Sequence, residues 1–145
     1  MQKTYLCIDL KSFYASVECV ELGLDPFKVN LVVADPTRGG GAITLAATPA
    51  IKKLGVSSRG RIFEIDPKIE YMITPPRMHL YMEYSCKVYK VFLEFIAKED
   101  IHVYSIDESF LDITSYLKLY QVNAKELAKK ILDRIYKKSP SNHIK

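Results

Sequence analysis

The sequence predicts an α+β chain: a split β-α-β sheet of the ferredoxin type, incomplete at its C-terminal end, with a small α/β piece inserted after the first helix. Three observations predict it. Residues 4–9, TYLCID, are mostly apolar and β-prone. Over 77–98, Tyr81, Tyr84, Val88, Val91, Phe92 and Phe95 recur at helical spacings of three and four. Two short β-prone runs follow, IHVYSI and SFLDIT, separated by Asp107-Glu108. With residues 24–75 set aside, the order is β-α-β-β-α, one strand short of the split sheet.

Each element has a local reason. After TYLCID, Ser12 can cap a short helix that contains Ala15, Val17 and Glu18 and stops at Gly23. VNLVVAD, 29–35, reads as a strand ended by Asp35-Pro36, RGGG at 38–41 as a flexible turn, and AITLAA as a further strand. In TPAIKKLG, 48–55, Thr48 suits the N-cap, Pro49 the first helical position and Gly55 the stop. Pro75-Pro76 punctuates the chain, giving a division into 1–23, 24–76 and 77–145. The last helix opens on Asn123 with Glu126 three residues on, a capping box in form. Leu127, Ile131 and Ile135 form its inner face, and Lys125, Lys129, Lys130, Lys137 and Lys138 a solvated outer one. The chain ends at SPSNHIK, where the next strand of the split sheet should begin, so a longer protein is expected.

Composition narrows the function classes. At 145 residues, 48% hydrophobic and 26% charged, the chain reads as an ordinary soluble globular protein. No apolar run approaches a membrane span, and no signal peptide is visible. Cys7, Cys19 and Cys86 form no C-x-x-C, and the histidines at 79, 102 and 143 are scattered. That argues against zinc and for a reduced, cytoplasmic protein. A net charge of +4 permits a nucleic-acid partner without requiring one.

The chemistry starts from Asp9, an acid at the end of an apolar strand. A carboxylate buried there needs a partner. In a split β-α-β sheet the first strand neighbours the later hairpin, so Asp9, Asp107 and Glu108 should converge. Like charges so placed repel unless offset, most simply by hard divalent cations. Mg²⁺ favours a few carboxylates, waters and substrate phosphates, and a pair of such ions serves in-line phosphoryl transfer. The plain alternative is a polar hairpin turn and a strand-end cap, and the residues alone leave both open.

Two longer motifs weigh on that choice. CIDLKSFYASVE and the later YSIDESFLDIT, with AATPAIKKLGV between them, resemble the Y-family, or translesion, DNA polymerases over essentially the whole chain. The likeness is nearest the polymerase V catalytic-subunit branch and the UV-damage repair polymerases of Gram-positive bacteria. It implies that 1–23 and 77–145 are palm and 24–76 fingers, and that two Mg²⁺ ions assemble with DNA and nucleotide. Asp9 and Asp107 would bridge the metals, and Glu108 would hold the primer-side ion and help deprotonate the primer 3′-hydroxyl. Leu10 would offer its carbonyl to the nucleotide-side ion.

The resemblance also assigns the aromatic pair. Tyr14 would be the steric gate beneath the sugar, selecting deoxyribose, and the Phe13 N–H would lie near the triphosphate. Without it, both rings read as helix core. Lys52 would contact the triphosphate, where the alternative is a solvated lysine. Pro49 stands where some members have a tyrosine, so that contact is not transferred. GGGAITLAA would form a small apolar roof over the nascent base pair. The implied partners are primer-template DNA and a deoxynucleoside triphosphate. The sliding clamp and SOS accessory proteins would be reached through segments beyond residue 145. The family's last palm strand, a further lysine, the thumb and the little finger also fall there, so these residues alone should be weak or inactive in polymerisation. Two rivals remain: a nucleotidyl cyclase, against which SIDES lacks the needed glycines, and a non-catalytic nucleic-acid-binding module of the same fold.

Overall fold

The structure is a computed structural model that describes residues 2–138, with side chains described through 135. In chain order the strands are β1 (Tyr5–Asp9), β2 (Leu31–Val33), β3 (Ala46–Ala47), β4 (Met72–Thr74), β5 (Ile101–Ser105) and β6 (Glu108–Asp112). The helices are α1 (Phe13–Glu21), α2 (Pro49–Lys52), α3 (Met78–Phe95), α4 (Thr114–Leu119) and α5 (Ala124–Lys138). The chain divides into two compact units, one comprising the residues up to Lys11 together with those from Met82 onward, the other Ser12–Tyr81.

In the first unit the sheet order is β1-β6-β5, antiparallel throughout. This is the placement the sequence predicts: the first strand lies beside the hairpin. β1 meets β6 in the register Tyr5↔Asp112, Cys7↔Phe110 and Asp9↔Glu108. Alternation puts Ile8 and Leu111 on the buried face of the sheet, with Val88, Val91 and Phe92 of α3 also buried. The β5–β6 pairing shifts register between Val103 and Ser105. Near that shift the Ser85 hydroxyl donates to the Ile106 carbonyl at 2.5 Å. The capping box forms as predicted: Glu126 N–H donates to Asn123 Oδ1 at 2.8 Å, and Asn123 N–H to Glu126 Oε1 at 3.3 Å. Leu127, Ile131 and Ile135 are buried, while Lys125, Lys129 and Lys130 are exposed. The Lys137 and Lys138 side chains, and the 139–145 stretch where a further strand is expected, lie outside the described residues.

One element of this unit is not foreseen. SFLDIT does not stay extended to its end, because Asp112 Oδ1 accepts from both the N–H and the hydroxyl of Thr114, at 3.1 and 2.7 Å. That side-chain turn stops the strand and starts α4. Tyr116 then donates to Asp100 Oδ2 at 2.6 Å.

In the second unit the sheet order is β3-β2-β4, with β2 antiparallel to β3 and parallel to β4. Val32, Ala47, Ile51 and Ile65 form its core cluster, flanked by Val56, Ile62, Ile69 and Tyr71. Thr48 caps α2 as predicted and is fully buried: its hydroxyl donates to the Val29 carbonyl at 2.7 Å and accepts from the N–H groups of Leu31 and Ile51. Three expectations are corrected. AITLAA pairs with β2 only at Ala46–Ala47, because Ile43 and Thr44 bridge instead to the segment at Gly60 and Arg61. RGGG lies in two short 3₁₀ turns over Pro36–Gly41, broken by a kink at Gly39 (φ 59°) and opened by Asp35, whose carboxylate accepts from the Thr37 N–H. Ser12 occupies the N-cap of α1 but makes no side-chain capping bond, since its backbone is left-handed at φ 55°. β4 is a strand the sequence reading passes over, three residues lodged just before Pro75-Pro76.

Candidate functional site

The acids lie at one end of the first unit's sheet. Asp9 is the last residue of β1 and faces Glu108, the first residue of β6. Directly opposed residues of an antiparallel pair project from the same face, and like charges so placed are destabilising. Asp107 precedes Glu108 in the turn, and its carbonyl accepts the Leu10 N–H at 2.8 Å. One backbone bond thus ties the residue after Asp9 to the residue before Glu108. Leu10 itself is 4% exposed and anchors this corner in the core.

The carboxylates take neutral donors. Asp107 Oδ1 accepts from the Ser105 hydroxyl at 3.0 Å, and Glu108 Oε1 from the Cys7 thiol at 3.8 Å. Cys7 stands two residues before Asp9 on the same face. Its thiol is held above its usual range by desolvation, then by the Glu108 charge and hydrogen bond and by Asp9. Among the described residues no three His, Cys, Asp or Glu side chains are gathered closely enough to hold a metal ion. The backbone therefore brings Asp9, Asp107 and Glu108 to one corner, while their side chains remain spread. As a donor set, three carboxylates with a backbone carbonyl at hand fit a hard dication and suit neither zinc nor copper. Beside this corner a cavity of about 450 Å³ is lined by Ile8, Leu10, Ser85, Val88, Phe92 and Asp107 among others.

The other predicted residues lie in the second unit. Phe13 opens α1 and is 2% exposed, so its ring is core. Tyr14 is half-buried and stacks on Tyr81, with ring centroids 4.5 Å apart and planes inclined at 12°. Lys52 sits in the last turn of α2, half-buried, and makes no ion pair among the described residues. In the segment before β3, Ile43 and Leu45 are exposed while Ala42 and Thr44 are buried, so one small apolar face is open to solvent.

Sequence reasoning missed one buried charge. Glu18 is 2% exposed and forms a two-pronged ion pair with Arg77, Nε to Oε2 at 3.1 Å and Nη2 to Oε1 at 2.5 Å. Tyr81 donates to the same carboxylate at 2.5 Å. Its signal was present: an acid four residues after Tyr14, inside a run of buried positions on α1.

The first unit is thus an α+β frame with three acids at the junction of its first strand and a hairpin. Comparison with known proteins gives its family. The impB/mucB/samB family matches residues 8–140, and the chain belongs to that family. It is 46% identical over 114 residues to UvrX of Bacillus subtilis (strain 168), named for UV-damage repair, covering 77% of this chain and 27% of that protein. It is 42% identical over 109 residues to the DNA repair protein homolog YozK of the same strain, covering 73% of this chain and 93% of YozK. DNA polymerase IV 2 of that strain is 37% identical over 138 residues, with 92% of this chain and 32% of the polymerase covered. Among solved structures, a Y-family DNA polymerase chimera of Dbh and Dpo4 superposes with a TM-score of 0.75 at 26% identity, over 93% of this chain and 39% of the chimera. DinB from Sulfolobus solfataricus does so at 0.72 and 28%, over 93% of this chain and 39% of DinB. The Y-family relationship read from the two motifs holds, and the chain spans about a third of most of the relatives it matches.

Proposed function

We propose that these residues are the palm and fingers of a translesion DNA polymerase. The whole protein would join a deoxynucleotide to a primer 3′ end opposite damaged template. The observation that carries this is the Asp9↔Glu108 register with Asp107 beside it, in a chain of this family. In the reaction the primer 3′-oxygen forms a bond to the α-phosphorus, the bond from that phosphorus to the bridging oxygen breaks, and pyrophosphate leaves. Asp9 and Asp107 would hold two Mg²⁺ between them, with Glu108 on the primer side and the Leu10 carbonyl on the nucleotide side. When bound, the ions supply Lewis acidity at the attacking and leaving oxygens.

The remaining steps belong to this chain's own groups. Glu108 receives the primer hydroxyl proton. Lys52, which makes no ion pair among the described residues, offsets triphosphate charge as a point donor. The Phe13 N–H opens α1, and a helix N-terminus favours an anion. Tyr14 lies under the sugar and excludes a ribose 2′-hydroxyl. Ile43 and Leu45 cover the nascent base pair. Primer-template DNA and a deoxynucleoside triphosphate are the substrates, a reading supported by the insertion ternary complex of the Dbh DNA polymerase among the solved structures the chain resembles. A cytoplasmic setting fits the three free cysteines, and among the described residues no helix is long and apolar enough to cross a membrane. Clamp and SOS contacts would come from other segments.

The test is primer extension past a damaged base by the full-length protein. Extension should require Mg²⁺, stop on chelation and return when Mg²⁺ is restored. Extension that persists in excess chelator would overturn the proposal.

A further inference from the structure

The buried Glu18 poses a question that the polymerase reading does not answer. Taking a carboxylate and a guanidinium out of water is costly, and well-packed apolar residues often serve stability as well or better. Yet the second unit spends an ion pair here, and the pair leads somewhere. Arg77 grips both carboxylate oxygens of Glu18 through its fork, leaving the acid one defined orientation. Tyr81 donates to Oε2 of that carboxylate, which fixes the tip of a ring with no solvent exposure. The face of that ring carries Tyr14, stacked at 4.5 Å and 12°. Burial, then the hydrogen bond to Glu18, pushes the Tyr81 phenol well above its ordinary range, so it stays a neutral donor at any working pH.

We propose that Glu18, held by Arg77, positions the Tyr14 ring through Tyr81, so that these three residues set the stringency of sugar selection without touching the nucleotide. This rests on Tyr14 being the sugar gate. A gate that excludes one hydroxyl works only if the ring cannot retreat, and a displacement of about 1 Å can change a rate by roughly a hundredfold. Tyr14 sits on a helix, which fixes its backbone. The Tyr81 plane limits the ring's tilt, and the Glu18–Arg77 pair limits that of Tyr81. Glu18 lies four residues after Tyr14, so one face of α1 bears both the gate and the acid that braces it.

The experiment measures competing ribonucleotide and deoxyribonucleotide incorporation by the full-length protein and three variants. Tyr14→Ala removes the gate, Tyr81→Phe keeps the stacked ring but removes its hydroxyl, and Glu18→Gln keeps the shape but removes the charge. The readout is the ratio of the two incorporations, because a partly unfolded sample lowers both equally and leaves the ratio unmoved. We expect Tyr14→Ala to raise ribonucleotide use most, with Tyr81→Phe and Glu18→Gln each raising it on the order of tenfold. If Tyr14→Ala raises the ratio while Tyr81→Phe and Glu18→Gln leave it unchanged, the gate stands and the bracing role falls. If Tyr14→Ala itself leaves the ratio unchanged, the gate reading falls and this inference with it.

Discussion

At the scale of single residues, the acid corner runs against stability. Asp9 opposes Glu108 across two strands, an arrangement that costs a sheet rather than supporting it. Sites of this kind are kept for chemistry at the expense of the fold. Asp9→Asn should therefore raise the urea midpoint of unfolding while abolishing primer extension. A midpoint that falls together with activity would mean that Asp9 supports the fold. Cys19 offers a second residue-scale prediction. It is fully buried, and burial, then the charges of Asp25 and Glu18, pushes its thiol up to about 11 from 9.0. A pKa raised by folding means that the native state holds the proton more tightly. This contribution is complete below pH 9 and is lost as pH rises through about 11. At pH 8 a thiol reagent should label Cys7 and Cys86, both exposed, and reach Cys19 only on unfolding. Rapid native labelling at Cys19 would contradict the burial.

At the scale of elements, legibility followed the strength of the local signal. The capping box at Asn123 and the Thr48-Pro49 start of α2 were readable, because the side chain that makes the bond lies within three residues of its partner. β4 and the shortening of AITLAA were not, because their pairing is decided by distant backbone: β4 by β2, and Ile43 by Arg61. Ser12 has the residue type of a cap, but its positive φ turns the backbone away from capping geometry. The same contrast runs through the site. Asp9, Asp107 and Glu108 are legible as acids at strand ends, whereas the run on α1 marks Glu18 but nothing local names its partner, Arg77, far away in sequence. The element-scale prediction concerns Thr48, whose hydroxyl serves the Val29 carbonyl and two N–H groups at zero exposure. Thr48→Val keeps the shape and leaves those groups unpaired, so urea unfolding should show a loss of about 1–3 kcal/mol. A loss within error of zero would show that the three bonds are dispensable.

At the scale of the whole molecule, each of the two units carries a different part of the proposed task. One carries the acids on a strand and a hairpin, and the other carries the aromatic gate, its brace and the triphosphate cation. The chain spans 27% of UvrX and 32% of DNA polymerase IV 2, so polymerisation is proposed only for the full-length protein. The central claim is that Asp107 is a metal-holding acid and not a turn residue that accepts from Ser105. The direct measurement is single-nucleotide insertion by the full-length protein beside its Asp107→Asn variant, with DNA binding measured on the same samples. The account predicts that insertion falls by at least about a thousandfold while the affinity for primer-template changes little. Insertion at the unaltered rate, with DNA binding intact, would contradict it.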